Sequence, residues 1–185
     1  MSRAGSAEER AALLGLAIPD YADPPYGGRY GNIDAFHHSG RLVFLSGFTP
    51  EDRAGTILHP GRLGADVTLD QGREAARAAA VNALGGIRLA LGSLDRVTSV
   101  VRALCFVVCT PDFEEVHRVA SGATDLLGEV FGPRAGRGGR AAVGVMQLAR
   151  RNCFELWLTV EADTEPAPDQ RHGEKDGAQP RHSHS

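Results

Sequence analysis

The sequence predicts one soluble α+β domain: a mixed β-sheet with two long helices packed on one face. Three observations carry that expectation. Two segments, Leu69 to about Leu91 and Thr110 to about Val130, repeat apolar residues at helical spacing. Five shorter segments, around 33–38, 41–46, 95–109, 140–148 and 153–161, read as strands. The chain has 185 residues, 42% hydrophobic and 23% charged, which suits a single buried core without metals or disulfides.

The elements follow in order. Glu8 to Leu16 reads as a short helix. Tyr21 to Asn32 is rich in Pro, Gly and Tyr and reads as a loop. Ile33–His38 and Arg41–Ser46 read as strands about Ser39-Gly40, and Gly47 to Val67 as a connection. Thr68-Leu69-Asp70-Gln71 matches a capping box, in which hydroxyl and amide satisfy the first free backbone N–H groups. A long Ala-rich helix follows. Asp95 to Cys109 has apolar residues on both faces, as a central strand requires. Thr110-Pro111-Asp112 reads as the start of the second helix, with Pro at its first position. Phe113, Val116, Ala120, Ala123, Leu127 and Val130 form its apolar stripe. Residues 8–163 make the domain, 1–7 an N-terminal extension, and 164–185 a polar tail expected to be disordered, because no large apolar residue offsets its ordering entropy. His172, His182 and His184 belong to that tail.

The last two strands, Arg140–Leu148 and Cys153–Glu161, are separated by four residues. A plain hairpin would place Val143 and Val145 with Leu156, Leu158 and Val160 on the core face. Arg140, Ala142, Met146, Glu155 and Trp157 would then share the other face. Trp157 and Met146 want cover there, so a second subunit is expected on it.

Composition excludes several classes. The formal net charge of −3 gives no footing for non-specific nucleic-acid or membrane binding. The longest apolar run, Ala103 to Cys109, is far too short to span a bilayer. Met1 to Arg10 is charged, so a cytoplasmic location is expected. Arginine occurs 19 times and lysine once, which points to a GC-rich bacterial coding sequence. Cys105, Cys109 and Cys153 form no paired motif; a disulfide framework or zinc site is not expected, and Cys105 and Cys109 read as small core residues. His37 and His38 alternate across a strand and cannot form a simple metal pair. No phosphate loop, HExxH or GxSxG is present.

Arg140 stands out. A guanidinium at the start of a half-buried strand is a fork for a carboxylate. It could equally form an intersubunit salt bridge with Glu155 or Glu161. In the hairpin register Glu155 lies roughly 20 Å along the strand from Arg140's partner, so a shared site would draw them from different subunits.

Several segments occur in a telling order: Ser39-Gly-Arg-Leu-Val-Phe-Leu-Ser-Gly47, Gly64-Ala-Asp-Val-Thr68, Glu74-Ala-Ala-Arg77 with Asn82, Leu94-Asp-Arg-Val97, Thr110-Pro-Asp-Phe113, Phe131-Gly132, and Arg140-Ala-Ala-Val-Gly-Val145 with Glu155. Together they resemble the Rid (YjgF-like) superfamily of reactive-intermediate deaminases, also labelled endoribonuclease L-PSP. The long N-terminus and Ser121-Gly-Ala-Thr-Asp-Leu126 are most similar to a chorismate-mutase-like branch. The resemblance implies a chorismate-mutase-like (Rid) fold and a homotrimer with intersubunit clefts. It also implies a cofactor-independent enzyme hydrolysing a small carboxylate-bearing imine or enamine. Arg140 would then bind the carboxylate and Glu155 would orient or deprotonate the water. Ser46, Gly47, Tyr30, Ser121, Ala142 and Trp157 would line the substrate pocket. No metal, nucleic acid or membrane is implied.

The pattern departs at the lining. The family tyrosine falls on Ile33, with Tyr30 or Tyr26 as substitutes; the family cysteine falls on Ala142, and the helix asparagine on Ser121 or His117. These changes keep two alternatives open: a specialised biosynthetic step such as cyclisation, condensation or elimination, or a non-catalytic trimer that binds small carboxylates.

Overall fold

Thr68 sets the first long helix in place. Its hydroxyl accepts from the Gln71 backbone N–H at 3.3 Å, and the Gln71 side chain accepts from the Thr68 N–H at 2.9 Å. The helix runs until Gly92, whose left-handed φ of 78° closes it. The computed structural model containing it describes residues 5–22 and 29–163. The 164–185 tail with its three histidines, Tyr26 and residues 1–4 lie outside the described residues.

The order is α1 (Ala7–Leu13), β1 (Phe36–Ser39), β2 (Leu42–Phe48), α2 (Leu69–Leu91), β3 (Val97–Val108), α3 (Val116–Ala135), β4 (Gly139–Val145) and β5 (Phe154–Ala162). The five strands form one sheet ordered β1-β2-β5-β3-β4. The two long helices pack on one face of it. Their contact is close because it is made of small residues. Ala75, Ala76, Ala79, Ala80 and Ala83 are fully buried. Gly122 of α3 lies against the Arg73 carbonyl of α2, where a Cβ would come within 2.1 Å of the oxygen. Phe48, Leu63, Leu84, Ile87, Leu126, Phe154 and Leu156 fill the layer between helices and sheet.

Three expectations change. The final strands are not a hairpin: β3 lies between them, antiparallel to β5 and parallel to β4. A central strand pairs its backbone on both edges, as β3 does with β4 and β5. The β3–α3–β4 crossover supplies the parallel neighbour at the sheet edge. The chain then passes through Arg150 and Arg151, both in the left-handed region at φ 55° and 64°, to reach the far side of β3.

The face assignment changes with the pairing. Arg140, Ala142 and Gly144 pair with Ala103, Cys105 and Val107, whose side chains are buried under the helices. Val143 instead pairs with Phe106 on the open face and is 45% exposed. Leu156, Leu158 and Val160 face the core as expected. Glu155 and Trp157 share the open face with Phe106; Arg140 does not.

Helix α3 starts at Val116 rather than at Thr110. The Thr110 N–H donates to Leu63 and its carbonyl accepts from Phe113, so Pro111 begins a turn. The stripe expected from Ala120 to Val130 is nevertheless buried. Near its end α3 breaks at Gly132 (φ 85°, ψ 174°), followed by Pro133. No helix among the described residues is long and apolar enough to cross a membrane.

Candidate functional site

Arg140 lies at the start of β4 and reaches toward α3. Its Nη1 donates to Ser121 Oγ at 3.2 Å and to Thr124 Oγ1 at 3.1 Å. Both hydroxyls are themselves tethered one turn back, to the carbonyls of His117 and Ala120 at 3.1 and 3.5 Å. The residues at 121 and 124 share one helix face, so the guanidinium is held from a rigid element. Hydroxyls are neutral, however, and no carboxylate among the described residues pairs with Arg140. Its charge remains available at the wall of a cavity of about 720 Å³, lined among others by Val100, Ala103, Leu127 and Gly128.

Ala142 lies two residues further along the same face, paired with Cys105. That thiol is fully buried, and desolvation pushes it up to about 11 although Arg140 pulls the other way. It packs as an apolar residue, as does Cys153, also pushed up to about 11 by burial. Cys109 is half-buried.

A second group of residues assembles on the open face. Trp157 Nε1 donates to Glu155 Oε1 at 2.6 Å. Gly47 pairs with Trp157 and lies beneath both side chains; a Cβ there would stand 2.0 Å from Glu155 Oε1. A bulge in β2, where Leu45 and Ser46 oppose one residue of β5, brings Gly47 into that place. Ser46 is adjacent in the chain, but its hydroxyl donates to the Asp34 carbonyl. The Trp157 indole also meets the Phe106 ring, centroids 5.4 Å apart and tilted by 67°. Trp157 is 49% exposed and Phe44, on the same sheet, 43%.

Arg140 pairs with Ala103 and Glu155 with Phe106. The two are thus about 10 Å apart along β3 and on opposite faces of the sheet. One chain cannot bring them together.

Tyr30 belongs to neither group. Its hydroxyl donates to Glu51, which is buried and also accepts from Arg150 and, at 3.2 Å, from Arg29. Burial raises the Tyr30 hydroxyl above its ordinary value, and the Glu51 carboxylate raises it further. Ile33 is exposed. Thr124 was not singled out from the sequence, although its spacing from Ser121 was the available signal. Among the described residues no three His, Cys, Asp or Glu side chains are grouped to hold a metal.

Residues 8–157 match the family described as YjgF/chorismate mutase-like, a candidate endoribonuclease family. The chain belongs to this family. Among YjgF-like and other relatives, Protein TCP17 of Trypanosoma cruzi is 41% identical over 148 residues, 80% of this chain and 89% of that protein. The crystal structure of Atu1372 from Agrobacterium tumefaciens, of unknown function, is 34% identical with a TM-score of 0.75, covering 85% and 92% of the two chains. A Shewanella oneidensis protein described as a candidate endoribonuclease is 29% identical with a TM-score of 0.77, covering 85% and 99%. Proteins similar to this chain therefore come from a trypanosome as well as from bacteria, and the arginine bias does not fix the source.

Proposed function

We propose that this YjgF-like chain is a cofactor-independent enzyme that binds a small carboxylate-bearing imine or enamine between subunits and hydrolyses it. One observation carries the reading: a guanidinium held by two neutral hydroxyls, with no carboxylate paired to it among the described residues, at the wall of a cavity of small-molecule size. Such an arginine is a bidentate receptor for a carboxylate.

The chemistry follows from the charges. Arg140 fixes the carboxylate and so orients the adjacent C=N carbon. A carboxylate such as Glu155 is suited to take a proton from the water that attacks this carbon and to return it to the nitrogen of the resulting carbinolamine, so that the C–N bond breaks, ammonia leaves and a 2-oxo acid remains. Glu155 must then come from a neighbouring copy, and the homotrimer is part of the proposal. The exposed Phe44 and Trp157 support it, because an apolar sheet face of this kind is usually covered.

The test is release of 2-oxo acid from an enzymatically generated 2-imino acid, with wild type and Arg140→Ala side by side. Acceleration by the wild type and its loss in the variant are expected. Acceleration that survives in Arg140→Ala overturns the mechanism. No acceleration by either protein moves the reading to a specialised biosynthetic step, which the altered positions Ile33 and Ala142 favour, or to a binding role.

A further inference from the structure

We propose that Arg137 is a second anion-binding group in the Arg140 cavity, and that the ligand is a dicarboxylate with an aliphatic link. The proposal rests on the reading above only in that Arg140 binds a carboxylate; it does not require imine hydrolysis.

Both arginines line the same cavity. Arginines nearby are already engaged: Arg73 with Asp125 at 3.5 Å, and Arg77 with Glu129 at 2.9 Å. Those two acids also line the cavity, so their charge is answered from α2. Arg137 makes no ion pair or hydrogen bond among the described residues, and Arg140 makes hydrogen bonds only to hydroxyls. The charge left without an answer is therefore that of two guanidinium groups. A monocarboxylate neutralises one of them; a dicarboxylate neutralises both.

The backbone around Arg137 is fixed by close approaches. A Cβ at Gly136 would lie 2.4 Å from the Leu127 carbonyl oxygen, and one at Gly138 would lie 2.2 Å from that of Val100. The chain is thus pressed between α3 and β3 on either side of Arg137. Arg137 and Arg140 are three positions apart, at most about 10 Å of extended chain, so their side chains can reach one small molecule in the cavity both line. The cavity lining nearby includes Val100, Ala103 and Leu127, which suits hydrocarbon between the two charged ends.

The experiment compares the binding of 2-oxopentanoate and 2-oxoglutarate, which share a five-carbon chain and differ in the second carboxylate. Calorimetry on the full chain measures each with wild type, Arg137→Gln, Arg140→Gln and Arg134→Gln. Arg134 is close in sequence but not among the cavity residues, so its variant removes the same charge elsewhere. The wild type is expected to prefer the dicarboxylate by about tenfold or more, the factor of one added charge-assisted contact. Arg137→Gln should weaken the dicarboxylate far more than the monocarboxylate and largely erase the preference. Arg140→Gln should weaken both ligands, and Arg134→Gln should keep the preference. Equal affinities in the wild type, no binding of either ligand, a preference that survives Arg137→Gln, or an equal loss in Arg134→Gln overturns the proposal. Because binding is read without turnover, a failed deaminase assay leaves this result standing.

Discussion

Arg140 and Glu155 stand on opposite faces of one sheet, on the two strands that flank β3. The separation makes a shared site intermolecular, and that is testable by mixing defects. Arg140→Ala and Glu155→Gln should each be inactive alone. Coexpressed and assembled at random, they should regain about one intact site in four, since each site draws one residue from each of two copies. Two-tag purification of the mixed oligomer followed by the imine assay reads the outcome. Activity that stays at the single-variant level in the mixed oligomer would rule out a site shared in this way.

Gly47 offers a narrower test of the Glu155 group. A methyl there would stand 2.0 Å from the Glu155 carboxylate, which can swing away, and 2.8 Å from Trp157 Nε1, so the half-exposed indole must tilt as well. Gly47→Ala should therefore change the melting temperature little. Turnover should drop by about a hundredfold if the carboxylate position matters to the reaction, as misplacement by an ångström can cost that much. A fall in stability with unchanged turnover would refute this role.

The reverse pattern is expected at Gly122. Alanine normally improves a helix interior by about 1 kcal/mol. Here its methyl would meet the Arg73 carbonyl of the neighbouring helix, which is backbone and cannot swing aside. Gly122→Ala should lose about 2–3 kcal/mol and melt roughly 5–10 °C lower, as overpacking does. Thermal denaturation of the variant checks this.

Glu8 ties α1 to the rest of the fold. Its carboxylate accepts from Arg88 Nε at 3.2 Å and from the Leu94 N–H at 2.9 Å. The Arg88 hydrogen bond, more than any other influence, lowers its pKa below the ordinary 4.5. A lowered carboxylate stabilises the fold above its unfolded value and loses that contribution as pH falls through the folded value. Glu8→Gln should cost about 1 kcal/mol at pH 7, and the two proteins should converge in acid. Melting curves across pH, with a difference that persists at low pH, would contradict the assignment.

Much of this was legible in the residues. The Thr68–Gln71 cap marks the helix start to the residue, and the two-sided apolar pattern of Val97–Val108 marks a central strand. The pairing of β4 was not legible, because a four-residue gap is compatible with a hairpin and strand alternation has the same period whichever neighbour is chosen. That one choice inverted the face of Arg140 relative to Glu155. The start of α3 was misread for a related reason. Pro111 suits a helix start and a turn equally, and the tie is broken by the Thr110–Leu63 backbone bond, which is remote in sequence. Arg137 became visible only when α3 was laid against β4.

The crossover that moves β4 to the sheet edge also sets where Arg140 stands. β4 joins the sheet only through β3, and that pairing closes a loop containing all of α3. That loop is shorter than those β5 closes with β3 and with β2, so β4 can pair before the last strand arrives. The other edge of β4 has no strand neighbour within the described chain, and β4 is held by a single ladder. Arg140 thus stands on an edge strand held by seven paired residues, against four for β1 at the other edge. Its guanidinium is held across to Ser121 and Thr124 of α3, so a local undocking of β4 from α3 would undo the Arg140 arrangement while both long helices stay folded.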